Sequence, residues 1–200
     1  LTTLVDYTAA EGNDLIGRQY CAMALGNLAA EPMNHEEIVK SEGINALMCL
    51  LKTEDIESGR YAAFALSNLA ANANHRQQIV DEGGAAALVA LACCEDLNAQ
   101  RQAMSALRGL CITPHYRPLV VQEGVLDPIV LMARTDEIEV LREVSAALNC
   151  LSSVEENKME ICDRSISTII AMLLSGDVET ERHACCSVAN LVELAELHGR

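Results

Sequence analysis

The chain contains no Trp, one Phe and four Tyr in 200 residues. Half of its residues are nevertheless hydrophobic. A core of Ala, Leu, Ile, Val, Cys and Met suits closely packed helices. A β-sandwich or barrel draws more on aromatic and β-branched residues. There are four Pro and no Gly- or Ser-rich run, so no flexible linker divides the chain. No apolar run approaches the roughly 18 residues that span a bilayer. No signal-peptide pattern opens the chain, and Leu1 reads as the middle of a longer protein.

Basic residues are scarce as well: 14 Lys and Arg against 29 Asp and Glu, a net charge of −15. That argues against nucleic acid, whose phosphates need clustered cations, and against anionic lipid. It leaves a basic or neutral protein partner. The nine Cys include no Cys-x-x-Cys pair. Cys93-Cys94 and Cys185-Cys186 are neighbours in helical segments, where vicinal pairing is strained. They read as reduced, buried, small hydrophobes of a cytoplasmic protein.

What is present is a repeat. Leu28, Leu69, Leu110 and Leu151 stand 41 apart, and Leu191 follows at 40. Leu25, Leu66, Leu107, Leu148 and Val188 keep the same step. So do Ile38, Ile79, Val120 and Ile161, and Leu47, Leu88, Ile129 and Ile170. Arg60, Arg101, Arg142 and Arg182 form a polar column in the same register. Five columns in register fix a period of about 41 residues.

Each period reads as three helices. In one, the pattern predicts a short helix from about His75 to Asp81, capped by Asn74. Glu82-Gly83-Gly84 ends it through a left-handed glycine, as Glu42-Gly43 and Glu123-Gly124 do in neighbouring units. A second helix covers about Ala85 to Cys93. Asp96 then caps a longer third helix to Cys111. One period earlier, Ala62, Ala65, Leu66 and Leu69 form a buried stripe at helical spacing. Arg60, Phe64 and Asn68 form a different stripe. No unit can bury its apolar faces alone, so units must stack. The sequence divides into a partial repeat 1–30, full repeats 31–71, 72–112 and 113–153, and a terminal repeat 154–200, all in one domain. Neither end carries a polar capping repeat, which predicts an apolar end face open to self-association.

The runs Gln19-Tyr-Cys-Ala-Met-Ala-Leu-Gly-Asn-Leu-Ala29 and Arg60-Tyr-Ala-Ala-Phe-Ala-Leu-Ser-Asn-Leu-Ala70 carry a family likeness. So does Ile79-Val-Asp-Glu-Gly-Gly-Ala-Ala-Ala-Leu-Val-Ala-Leu91. In these the chain resembles the armadillo repeat family of β-catenin, importin-α and the vacuolar armadillo adaptors, over essentially its whole length. The resemblance implies an all-α, armadillo-type α-solenoid, a right-handed superhelix whose third helices line a concave groove. It further implies that the groove holds an extended partner segment, with an Asn near the end of each third helix bonding the peptide main chain. That column here reads Asn27, Asn68, Gly109, Cys150 and Asn190. Four residues earlier, where importin-α often has Trp, stand Met23, Phe64, Ser105, Ala146 and Cys186. A nuclear-transport reading would need basic peptides to bind tightly without that Trp ladder.

The candidate partner-binding residues are therefore Met23, Asn27, Arg60, Phe64, Asn68, Arg101, Arg142, Arg182 and Asn190. The arginines have a second reading as partners of Glu57, Glu139 or Glu179 at helix starts. The Asn side chains have one as inter-repeat hydrogen-bond donors, and Phe64 as packing across the groove wall. His35, His75 and His115 recur at first-helix starts and read as loop and cap residues. Repeats stacked about 8–10 Å apart do not bring them onto one metal ion. No catalytic motif, cofactor motif or metal-ligand spacing is present. The sequence thus points to a protein-interaction scaffold rather than an enzyme. The alternative is a structural module pairing through its ends or convex face. A groove of five third helices would span about 40 Å and cover about a dozen extended residues.

Overall fold

The computed structural model describes residues 1–9 and 14–193. Among these are thirteen α-helices and no strand. They gather into two compact units, Leu1–Leu110 and Cys111–Arg200.

The first unit holds α1 (Thr2–Ala9), α2 (Leu15–Ala29), α3 (His35–Lys40), α4 (Gly43–Leu51), α5 (Ile56–Leu69), α6 (Ala73–Asp81), α7 (Gly84–Ala92) and α8 (Leu97–Leu110). The third helices α2, α5 and α8 lie side by side, with α5 in the middle. Small side chains permit this: Ala62, Ala63 and Ala65 are fully buried on α5, with Leu66 and Leu69. The second unit holds α9 (Arg117–Gln122), α10 (Leu126–Met132), α11 (Ile138–Ser152), α12 (Glu155–Met172) and α13 (Val178–Val192). Here α11 packs on α13.

The chain reverses between first and second helices through one left-handed residue. It is Gly83 at φ 81° and Gly124 at φ 91°. In the earliest full repeat it is Glu42 at φ 61°, rather than the expected Gly43. Gly43 and Gly84 serve another need. A Cβ on Gly84 would stand 2.6 Å from the Ile79 carbonyl oxygen, and one on Gly43 equally close to that of Ile38. Gly84→Ala is therefore expected to cost about 1–3 kcal/mol through forced backbone movement, although Ala is the better helix former. Thermal melting of the two proteins checks this; an unchanged midpoint contradicts it.

The terminal repeat lacks the break. Arg164 and Ser165 stand where Glu123-Gly124 lead one to expect a turn, and α12 runs unbroken through them. The register slips by one residue as a result. Ile169 is fully buried, while Ile170, the residue expected in the core column, is 52% exposed. Leu28 departs too: it is 36% exposed, where Leu69, Leu110 and Leu151 are buried, and Val188 is half-buried where Leu25, Leu66, Leu107 and Leu148 are buried.

Caps set the remaining ends. Asn72, not Asn74, caps α6, accepting from the Asn74 backbone N–H at 2.9 Å. Asp96 accepts from the Ala99 N–H at 2.7 Å and so starts α8. The last carbonyls of the third helices receive side-chain donors from the following first helix, where the helix dipole favours them. Asn34 donates to Leu28 O at 2.9 Å, Arg76 to Ala70 O at 2.6 Å, Arg117 to Cys111 O at 2.8 Å and Asn157 to Leu151 O at 3.1 Å. His35 Nε2 lies 2.8 Å from Ala29 O, and His75 Nδ1 3.3 Å from Leu69 O. Those carbonyls fix the ring proton on these nitrogens. His35 and His75 approach to 6.1 Å between centroids, closer than the repeat spacing suggests, because both reach toward third-helix ends. His115 is exposed beside Tyr116.

Among the described residues no cysteine is joined in a disulfide, but burial does not explain most of them. Cys111 is buried, whereas Cys49, Cys93, Cys185 and Cys186 are exposed. Among the described residues no helix is long and apolar enough to cross a membrane, and no group of three or more His, Cys, Asp or Glu side chains could hold a metal ion.

Candidate functional site

In the first unit one stripe of each third helix stays clear of the core. On α5 it carries Arg60, Phe64 and Asn68, all half-buried. On α2 it carries half-buried Met23 and exposed Asn27, and on α8 half-buried Arg101. Phe64 lies against α2: a Cβ on Gly26 would stand 3.0 Å from its ring. The bare backbone at Gly26 thus makes room for the aromatic. Gly109 occupies the Asn column on α8 for a similar reason, since a Cβ there would stand 3.0 Å from that of Ala70. At Gly109 a side chain would force Ala70 to shift by a few tenths of an ångström.

The polar groups of this stripe differ in their commitments. Arg60 binds its own helix neighbour Glu57 through two nitrogens and lies 4.2 Å above the Tyr61 ring centre. The Arg60 hydrogen bonds hold the Glu57 carboxyl below its usual range. Arg101 has no ion-pair partner among the described residues. Asn68 is the most telling: its amide Nδ2 is buried and unpartnered among the described residues. A buried donor without an acceptor costs about 1–3 kcal/mol.

In the second unit the same column is mostly engaged. Arg142 donates to Asp177, the N-cap of α13, at 2.8 and 3.1 Å, and pairs at 3.4 Å with Glu139 and Glu179. Gln19 plays the same part in the first unit, donating to Asp55, the N-cap of α5, at 3.1 and 3.2 Å. This position therefore ties one third helix to the start of the next. Asn190 donates to Ser152 at 3.1 Å and to Asn149 O at 3.4 Å, an inter-repeat link. Cys150, in the Asn column, donates to Cys111 O at 3.2 Å. A separate side-chain contact with Cys150, and then burial, push the Cys111 thiol well up. Arg182 is exposed, with no ion-pair partner among the described residues.

The cap at Asp177 has a consequence for acid stability. The Arg142 guanidinium, then the Thr180 N–H, hold its carboxyl far below the ordinary aspartate value, and Arg142 is raised in turn. A depressed carboxyl contributes stability above its unfolded pKa of about 4 and loses it as pH falls through the folded value. Asp177→Ser keeps a capping oxygen but removes the charge. Its urea midpoint is expected to fall less than that of the wild type between neutral pH and pH values below about 4. Equal falls would contradict the assignment.

The first residue of every third helix is aliphatic and follows an acid: Leu15, Ile56, Leu97, Ile138 and Val178. All five are exposed, between 42% and 69%. They have the period of the core columns, which hides them from a reading that equates periodic apolar residues with burial.

No family model and no curated protein sequence matches the chain. Solved structures do. A designed armadillo repeat protein superimposes with a TM-score of 0.86 at 19% identity, covering 96% of this chain and 82% of its own. A second, described as in complex with the peptide (KR)4, gives 0.84 at 19% identity, covering 95% and 81%. An engineered protein is 28% identical with a TM-score of 0.85, covering 95% of this chain and 78% of that one. The chain is thus an α-solenoid of three-helix repeats. More narrowly, its fold is that of the armadillo repeat proteins.

Proposed function

We propose that the third-helix face of the first unit binds an extended segment of a partner protein, so that the chain works as an interaction scaffold or adaptor rather than as an enzyme. The observation that carries this is the contrast between two Asn residues of one column. Asn190 has its amide bound within the protein, whereas Asn68 holds a donor with no protein acceptor. A peptide carbonyl laid along the face would satisfy it once the half-buried Asn68 side chain turns its amide outward. Met23, Asn27, Phe64 and Arg101 lie on the same face of α2, α5 and α8. Arg60, Arg142 and Asn190 serve the fold more than the ligand, each being bound within its own unit, and Arg182 is left as an outlying cation. The designed protein in complex with (KR)4 supports the reading by analogy of fold. The net charge of −15 favours a basic segment.

A peptide selected by display on the full chain provides the test. Its affinity for the wild type is compared with that for Asn68→Ala/Arg101→Glu, with helicity checked by circular dichroism. Arg142 is left intact because its loss would disturb the cap of α13.

A second reading, pairing through an end face, has its own support. Ile166, Cys185 and Val192 are exposed, while their counterparts Leu126, Ser145 and Ser152 are buried one repeat earlier. Association that depends on concentration and ignores Asn68 and Arg101 would carry that reading instead. A cytoplasmic location accords with the free cysteines.

A further inference from the structure

Between α2 and α5, at the N-terminal end of the third-helix face, lies a depression of about 210 Å³ lined by Ile16, Gln19, Tyr20, Met23, Glu57 and Tyr61. It has room for roughly seven waters at about 30 Å³ each, or for one large side chain. We propose that this depression is an anchor subsite taking one bulky apolar side chain, aromatic or Leu, from a partner segment whose flanking residues are basic. The proposal rests on the groove reading above and adds to it the chemistry of the ligand.

The polar groups of the depression are already engaged. Glu57 is held by Arg60, and Arg60 covers the Tyr61 ring at 4.2 Å. Gln19 is turned to Asp55. A cation entering here would meet no free carboxylate and would approach the Arg60 charge. What remains available is apolar. Ile16 is 59% exposed and Tyr20 63%, large groups kept in water without a core role. Met23 supplies a side chain that adapts to the shape it meets, and Tyr offers area at low entropic cost.

The rim argues for basic flanks. Asp14 and Asp55, the N-caps of α2 and α5, precede the lining residues Ile16 and Glu57 by two positions, next to exposed Leu15 and Ile56, and Asp55 accepts from the lining Gln19. Asp96 and Leu97 repeat the pair one helix further on. A segment with an apolar residue in the depression would carry its neighbours past these acids.

The test uses the full chain and short fluorescein-labelled peptides of alternating Lys and Ser. One central position is set as Phe, Leu, Ala or Lys, and affinity is read by anisotropy. The Phe and Leu peptides are expected to bind about tenfold more tightly than the Ala or Lys peptide. Ile16→Ser/Tyr20→Ser changes two exposed side chains, so the fold survives, as its helicity will confirm. It is expected to erase the preference, so that the Phe and Leu peptides bind no more tightly than the Ala peptide. Equal affinity across the four peptides overturns the subsite and leaves the groove reading intact. A preference for Lys, or one that survives the double variant, also overturns the subsite. No binding by any peptide overturns both.

Discussion

Leu69→Ala is expected to lower the unfolding free energy by about 3–5 kcal/mol, and Leu28→Ala by about 1 kcal/mol or less. The two leucines occupy one column of the repeat. Only their surroundings differ: Leu69 is fully buried and Leu28 is 36% exposed. Truncating a buried leucine removes its transfer energy and leaves a cavity that close-packed helices cannot fill. At the exposed position the lost area is small and water occupies the space. The neighbours of Leu69 on α5 are Ala62, Ala65 and Leu66. Small rigid alanines cannot reach into the void, which places the cost toward the upper part of the range. Urea denaturation of both variants measures the difference. Equal costs would mean that the column position, not burial, sets the energy.

The Asn68→Ala/Arg101→Glu variant is expected to bind a display-selected peptide about a hundredfold more weakly while melting no lower than the wild type. Losing the Asn68 hydrogen bond to a peptide carbonyl accounts for about 0.5–1.5 kcal/mol, and replacing the Arg101 donor by a carboxylate that repels main-chain carbonyls for about 1.5–3 kcal/mol. Together these reach the roughly 2.7 kcal/mol that a hundredfold change requires. The stability half of the expectation comes from the orphan amide. Asn68 Nδ2 is buried without a partner, so removing it relieves a penalty instead of breaking a bond. Ala also forms helix better than Asn. Sites kept for binding at the expense of stability behave this way. Reduced melting together with unchanged affinity would show Asn68 to be a structural residue.

Much of this fold was legible before any coordinates. Four apolar columns gave the period, and the Glu-Gly dipeptides gave the turns between first and second helices. The reading failed where a partner in space decides the outcome. Ile170 was misplaced because α12 continues through Arg164 and Ser165, and the lost turn shifts the register by one residue. Arg142 was read with Glu139 and Glu179, but Asp177 gives it the shorter bonds. Nothing in spacing announces that a third-helix arginine reaches the N-cap of the next third helix. The break in the Asn column at Gly109 is visible in the sequence. The approach of α8 to Ala70 on α5 is not. The acid-aliphatic pairs from Asp14-Leu15 to Asp177-Val178 were visible in the sequence and periodic. Only their exposure separates them from core positions such as Leu69.

The measurement that tests the binding face most directly uses the single phenylalanine of the chain. Fluorophenylalanine incorporated in its place puts one ¹⁹F signal at Phe64, on α5 between Arg60 and Asn68 and against Gly26. Titration with a display-selected peptide is expected to shift that resonance in step with the binding curve read by anisotropy. A peptide that binds while the Phe64 resonance stays where it was would contradict the account and move the working surface elsewhere.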